Sequence, residues 1–115
     1  MNYLANSRAG LILGEILEKS GNKKARRRVN SLITNYYIGL NELDYMESDS
    51  MYKVFVTLWR NENIRRAEQL SNLPDRAIDH LRNVIKTIAK QRIRGYIYKG
   101  SIYEKSINDS SSWQR

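Results

Sequence analysis

Three observations predict an all-α domain of about five helices. Apolar residues recur at helical spacing along most of the chain, and cap-forming Ser, Asn, Asp and Gly separate these segments. With 115 residues, of which 41% are hydrophobic and 28% charged, the chain is long enough for one modest core. We expect a single domain over residues 1–106, followed by a flexible polar tail at 107–115.

The first two predicted helices meet at a short break. The first runs from about Asn6 to Lys19 and stops at Ser20-Gly21, and Asn22 can cap the second. The second has the clearest amphipathic pattern in the chain, formed by Val29, Leu32, Ile33, Tyr36, Tyr37, Leu40 and Leu43. Its two tyrosines widen the apolar face. Either both rings pack only in the core, or they also contact a second copy in a homodimer.

A loop and a third helix are predicted next. The segment 42–49 is acidic and has no Lys or Arg, as suits a solvated loop, and Asp49 or Ser50 can cap the helix that follows. Its inward residues should be Met51, Val54, Phe55, Leu58 and Trp59.

Residues 63–90 read as a short helix, a tight corner and a longer helix. The short helix places Ile64, Ala67 and Leu70 on one face. After the corner, Asn72 is a candidate N-cap and Pro74 would lie in the first turn, where its missing N–H costs little. The longer helix should bury Ile78, Leu81, Ile85 and Ile88.

The periodicity changes after Lys90. Arg92 falls on the apolar stripe, so we expect the helix to end there, with Gly95 as its stop. Beyond it, β-favouring residues flank Lys99-Gly100-Ser101 over residues 96–103. That pattern fits either a C-terminal β-hairpin, which would form a wing beside the preceding helix, or a basic aromatic coil.

The segment with Ile64, Ala67, Leu70, Leu73-Pro74, Ile78 and Leu81 resembles the helix-turn-helix superfamily. It looks most like the DNA-binding C-terminal part of bacterial sigma factors and small phage transcription regulators. The resemblance implies that Ala67 is the small residue between the two helices, and that the second helix enters the major groove of DNA. The corner departs from the common pattern, because it is one residue longer and has Ser71 where Gly is frequent.

The charge balance agrees with a nucleic-acid partner. Twenty Lys and Arg against twelve Asp and Glu give a formal net charge of +8, which favours a polyanion. One basic group opens the second helix and serves either phosphate contacts or a solvated turn: Lys23, Lys24, Arg26, Arg27 and Arg28. A second group follows the predicted recognition helix, without an Asp or Glu between Asp79 and Glu104: Arg82, Lys86, Lys90, Arg92, Arg94 and Lys99. We expect the second group to contact DNA, and its members from Lys86 onwards to contact phosphates.

The exposed early positions of that helix are candidates to read bases. Arg pairs bidentately with guanine and Asn with adenine, so Arg76 and Asn83 are the best candidates. His80, the only histidine, is expected to be solvated or to contact a phosphate. Asp79 suits the helix N-terminus, where an acid is stabilising, better than a base contact.

Other functions have little support in the sequence. The chain has no Cys and one His, and it shows neither a P-loop nor a Gly-rich dinucleotide turn, so we expect no metal site, no cofactor and no enzymatic activity. It has no signal-peptide pattern and no apolar run long enough for a membrane span, so we expect a cytoplasmic protein without a membrane partner. Richness in Asn, Lys, Ile and Tyr fits the AT-rich genome of a low-GC bacterium, a phage or a mobile element.

We therefore expect a transcriptional regulator that binds double-stranded DNA. Two alternatives stay open at this point. One is a basic helical interaction protein that binds RNA polymerase or another protein. The other is a DNA-packaging or replication accessory protein that uses the same DNA-binding module.

Overall fold

Four α-helices form the structure, a computed structural model that describes the backbone of residues 8–108 and the side chains of residues 8–96. The helices are α1 (Arg8–Ser20), α2 (Lys23–Leu43), α3 (Asp49–Glu68) and α4 (Asp75–Asn108). The described backbone contains no strand. The all-α prediction is confirmed. The number five is wrong, because the third helix and the short helix after it are one continuous helix, α3.

Turn and cap residues explain where α1 ends and where α2 and α3 begin. Gly21 has a φ of +67°, a conformation that costs glycine little, and it ends α1 as predicted. Asn22 caps α2, since its side-chain oxygen accepts a hydrogen bond of 3.0 Å from the Ala25 N–H. At α3 the cap is Ser48, which accepts from the Met51 N–H, and not Asp49 or Ser50.

Each helix packs beside the next one along the chain, and α1 closes the bundle against α4. The indole N–H of Trp59 donates to the Tyr36 carbonyl at 3.0 Å, and the Tyr52 hydroxyl donates to Asp44 at 3.0 Å, so α2 and α3 are antiparallel. Helices α2 and α4 lie diagonally opposite and parallel, linked by the buried hydrogen bond from the Tyr36 hydroxyl to the Ile85 carbonyl. The fold is an up-and-down four-helix bundle.

The core follows the predicted stripes of α2 and α4 and is completed by one side of α1. The fully or nearly buried apolar residues on these helices are Leu13 and Leu17 of α1, Ala25, Val29, Leu32, Ile33, Tyr36 and Leu40 of α2, and Ala77, Leu81, Val84, Ile85, Ile88 and Ala89 of α4. Ile78 and Tyr37, also predicted to face inward, are half-buried. Ala67 of α3 is completely buried, as predicted.

On α3 the predicted inward face is wrong. The buried residues are Tyr52, Val56, Asn63 and Ala67, whereas Met51, Val54, Phe55 and Leu58 are exposed and Trp59 is half-buried. The cause is that α3 has apolar residues on two opposite sides, so periodicity alone does not show which side meets the core.

The corner before α4 also differs from the prediction. Asn72 is not the N-cap: it has a φ of +64°, the left-handed conformation that Asn tolerates, and turns the chain between α3 and α4. The first turn of α4 bonds to the Pro74 carbonyl, which accepts from the N–H groups of Ala77 at 2.9 Å and Ile78 at 3.2 Å. Proline serves well here, because this position needs an acceptor and no donor.

Helix α4 does not end near Gly95, and residues 96–103 form no β-hairpin. Arg92 keeps its place in the inner face because it pairs with Asp44 at 2.9 Å and lies over the Tyr37 ring. One turn later the Tyr96 ring stacks on the Tyr52 ring with centroids 3.8 Å apart, and its hydroxyl donates to the Met46 carbonyl. These contacts stabilise the helix beyond Gly95, the predicted stop. Ile107 and Asn108, assigned to the tail, are its last residues, and residues 109–115 lie outside the described part.

The α3–α4 pair runs antiparallel over most of its length. Near one end Arg82 pairs with Glu68, and near the other Tyr96 stacks on Tyr52. The two contacts are 16 residues apart on α3, about 24 Å of helix, and 14 residues apart on α4, about 21 Å. A helix-turn-helix instead crosses at roughly 90–120°. The resemblance to that superfamily therefore concerns the sequence pattern, and it stays a prediction.

Replacing Ala67 with Leu should destabilise the bundle. Ala67 is fully buried among the core side chains, so three extra heavy atoms would overpack the contact and cost about 1–3 kcal/mol. Urea unfolding of the Ala67→Leu variant measures this loss. The exposed Gln69→Leu change is the control and should leave the free energy of unfolding nearly unchanged. Equal stability of Ala67→Leu and the parent would contradict this packing.

Tyr36 should make the fold sensitive to alkaline pH. Burial raises its pKa well above the ordinary value near 10, because the phenolate would be dehydrated. Since the pKa is higher in the folded than in the unfolded chain, this stabilisation is complete below about pH 10 and declines as the pH rises further. The Tyr36→Phe variant should therefore lose less stability than the parent between neutral pH and pH values above about 10.

Urea midpoints across this pH range, for the parent, Tyr36→Phe and the exposed-site control Tyr45→Phe, measure the effect. Tyr45 is 88% exposed, so its replacement should leave the alkaline loss as in the parent. Burial also raises the pKa of Tyr52, so the Tyr36→Phe variant should still lose some stability at alkaline pH, but less than the parent. An alkaline loss identical in all three proteins would contradict the role of Tyr36.

Candidate nucleic-acid interface

The outer face of α4 carries a stripe of exposed polar and basic side chains. Its buried residues share one side of the helix, so residues on the opposite side must face solvent. Arg76, Asn83 and Lys90 are seven residues apart and nearly in line, and Lys86 and Arg94 flank them. These five exposed residues are called the α4 stripe below. From Arg76 to Arg94 it extends about 27 Å along the helix.

The cations of the α4 stripe have no ion pair within the described side chains. Arg76, Lys86, Lys90 and Arg94 form none of the five ion pairs found there. They are exposed, so their hydration is not lost and their charge is available to an anion. The structure thus brings together the two predicted base readers and three of the predicted phosphate contacts.

Arg82, predicted to contact DNA, is held on the flank of α4. It pairs with Glu68 of α3 at 2.9 Å and with Asp79 one turn earlier on α4. These groups line a surface cleft together with Asp75 and Ile78, so the cleft contains three carboxylates and one guanidinium. In the described part of the chain, no group of three or more His, Asp or Glu side chains is placed to hold a metal ion. The cleft is an acidic border of the α4 stripe.

Arg92 lies on the inner side of α4 and points away from the stripe. Its guanidinium pairs with Asp44 and lies 5.5 Å from the centre of the Tyr37 ring. The contact ties α4 to the end of α2. Of the predicted DNA contacts, Arg82 and Arg92 are therefore engaged in ion pairs within the protein. His80, half-buried, lies at the edge of the α4 stripe.

The second basic group opens α2. Lys23, Lys24, Arg26 and Arg27 are exposed in its first turns, where the helix dipole opposes positive charge. Arg28 is half-buried and donates to the Ser71 hydroxyl at 2.5 Å, which joins the start of α2 to the corner before α4. The basic turn of α2 and the first residues of the α4 stripe therefore share one end of the bundle. Lys99 lies in α4, but its side chain is outside the described ones.

The sequence did not indicate which acidic residues from other elements form ion pairs with Arg82 and Arg92. No Asp or Glu lies between Asp79 and Glu104 on the same helix, but Glu68 and Asp44 come from other elements. The Asp79–Arg82 pair has the i, i+3 spacing of a helical ion pair, so the sequence already contained that signal. Asp44 and Arg92 are 48 residues apart, and only the fold brings them together.

Comparisons with known proteins do not place this chain in a family. No family model, no curated protein and no solved structure matches it. Within the described residues, no helix has the length and apolar character needed to cross a membrane. The function must therefore be argued from the side chains themselves.

Arg92 and Arg94 allow a matched comparison between an arginine that holds two helices together and an arginine that is only a surface charge. Arg92→Ala removes an ion pair and a cation–π contact, and we expect a loss of about 1 kcal/mol in the free energy of unfolding. Arg94→Ala removes an exposed, unpaired charge and should change stability by less than about 0.5 kcal/mol. Urea unfolding of both variants measures the difference. Equal losses would show that Arg92 does not hold α4 to α2.

Proposed function

We propose that this protein binds double-stranded DNA through the α4 stripe and regulates transcription. The observation that carries the proposal is the row of unpaired cations along the outer face of α4, opposite the face that the core buries. A helix backed by a packed core is a rigid support for side chains that enter a groove. The net charge of +8 would draw the protein to any polyanion, and the stripe gives that attraction a defined surface.

The α4 stripe divides into two roles. Arg76 and Asn83 lie on the first half of α4 and read base edges, because their side chains offer the bidentate geometry that guanine and adenine accept. Lys86, Lys90 and Arg94 lie further along and contact phosphates, which do not require a fixed fork of donors. The basic turn that opens α2 adds phosphate contacts at the corner end of the bundle. The acidic cleft around Arg82 repels phosphate and limits how far the duplex extends on that flank.

A second candidate is a protein-interaction role, with RNA polymerase or another protein as the partner. The exposed apolar side chains of α3 favour it, since such a surface is typical of protein contacts. A DNA-packaging or replication accessory protein would use the α4 stripe without site preference. Affinity for random and selected duplexes separates the three: a regulator prefers selected sites, a packaging protein binds both alike, and an interaction protein binds neither tightly.

Arg76→Ala and Asn83→Ala should each relax site preference. Loss of a bidentate base contact costs about 1–3 kcal/mol of discrimination, roughly a factor of 5 to 150 between the preferred site and one altered at the contacted base pair. Both side chains are exposed, so the fold should be unaffected. Gel-shift titrations with the two duplexes measure the ratio. Unchanged ratios in both variants would reject this part of α4 as the base reader.

Lys86→Ala and Lys90→Ala should weaken binding to every duplex by a similar factor. Each phosphate contact releases counterions, so log affinity falls against log salt concentration with a slope of about −0.9 per phosphate. Removing one contact should make that slope shallower by about one unit, whatever the sequence of the DNA. Lys53→Ala removes the same charge from an exposed position on α3 and serves as the control. Identical slopes for Lys90→Ala, Lys53→Ala and the parent would remove the α4 stripe from the DNA interface.

A further inference from the structure

The outer face of α3 is apolar although it faces solvent. Met51, Val54, Phe55 and Leu58 are between 38% and 55% exposed, and they are spaced i, i+3, i+4 and i+7. This is the spacing that forms the seam between packed helices. We call these four side chains the α3 ridge. Single exposed apolar residues are ordinary, but a contiguous helical row of them marks an interaction surface.

A groove between α2 and α3 borders the ridge. Phe55 and Leu58 form one wall with Trp59, and Gly39, Glu42 and Leu43 of α2 form the other. The groove depends on Gly39, because a Cβ at this position would come within 2.5 Å of the Trp59 indole nitrogen. Ile38, 52% exposed, extends the apolar surface along α2. The ridge and groove thus make one continuous side of the bundle.

The charges on α3 select both the partner and its direction. Glu47 and Asp49 lie at the start of the helix, and Arg65 and Arg66 lie near its end. Both arginines pair with Glu62, but these are exposed pairs within one helix and contribute little. Arg66 also lies 5.0 Å from the centre of the Trp59 ring, so Arg65 is the one that can exchange partners most readily. A second copy laid antiparallel puts the acidic start of each α3 against the basic end of the other. A parallel copy would place like charges together.

We infer that the α3 ridge is the interface of a homodimer, in which two copies pack with their α3 helices antiparallel. A two-fold axis perpendicular to α3 makes the contact self-complementary, as such dimers require. The same axis leaves both α4 helices on one side of the dimer. Four helices then follow in a row, α4 and α3 of one copy and α3 and α4 of the other. Three spacings of about 10 Å separate the axes of the two α4 helices by about 30 Å.

That separation approaches the 34–36 Å between half-sites one turn apart on DNA. This last step rests on the DNA-binding function proposed above, whereas the dimer itself does not. The two are therefore tested separately, the dimer without DNA and the stripe by its salt dependence.

Sedimentation of the free protein tests the dimer. The parent should sediment as a dimer at micromolar concentration, and Leu58→Glu as a folded monomer, with its helix content checked by circular dichroism. Leu11→Glu is a matched control, because Leu11 is also 55% exposed but lies on α1. It should remain a dimer. A parent that stays monomeric at hundreds of micromolar, or a Leu58→Glu variant that dimerises like the parent, would overturn the inference.

Cross-linking tests the direction of the pair. The chain has no cysteine, so single cysteines can be placed freely. In the antiparallel dimer residue 51 of one copy lies near residue 58 of the other, so a mixture of Met51→Cys and Leu58→Cys should give mainly the mixed disulfide. In a parallel pair those positions are about 10 Å apart, beyond the reach of a disulfide, and each variant would instead link to itself. Predominant self-linking would overturn the antiparallel arrangement.

Discussion

The burial of the inner face of α4 is the constraint on which the rest of the structure depends. Helices α1 and α3 both pack against α4, and Tyr36 reaches it from α2 with a buried hydrogen bond to the Ile85 carbonyl. Once Leu81 and Ile85 are buried, the helical period decides which residues face solvent. Packing of the core therefore fixes which residues form the α4 stripe. Its charged side chains could face inward only if α4 separated from the neighbouring helices.

The distribution of acids gives this surface its shape. Glu68 and Asp79 hold Arg82, and Asp44 holds Arg92, so two of the cations in this region stabilise contacts between elements. The cations of the α4 stripe have no such partner among the described side chains. The result is a narrow basic row with an acidic cleft along one flank. A protein of net charge +8 can thus present a defined basic surface and not a diffuse one.

The sequence predicts most of the fold where each helix has a single apolar side. Leu32 and Tyr36 of α2 and Leu81 and Ile85 of α4 are buried as expected. The prediction fails on α3, since both of its sides are apolar and burial was assigned to the one that faces solvent. It also fails at Arg92, where a charged residue in the apolar stripe predicts a helix end but the helix continues. No local pattern predicts Asp44 as its partner, because long-range pairing depends on the tertiary fold.

In the candidate site, too, the sequence predicts what depends on helical periodicity and does not predict contacts between different helices. The exposed positions of Arg76, Asn83, Lys86, Lys90 and Arg94 follow from helical periodicity, so the sequence already placed them on one outer surface. The engagement of Arg82 with Glu68 depends on how α3 lies against α4. Of the two alternatives for the tyrosine pair of α2, the structure favours the core, because Tyr36 is buried and Tyr37 is half-buried beneath Arg92. The exposed apolar surface lies on α3.

The most direct test of the central claim is to map a bound duplex on the protein by nuclear magnetic resonance. Amide and side-chain shifts are followed as a short duplex is titrated into the labelled protein. The account predicts that the changes concentrate at Arg76, Asn83 and Lys90, while signals from the buried Leu13 of α1 stay in place. Shift changes confined to Phe55 and Leu58 of α3, or no changes at saturating duplex, would contradict it.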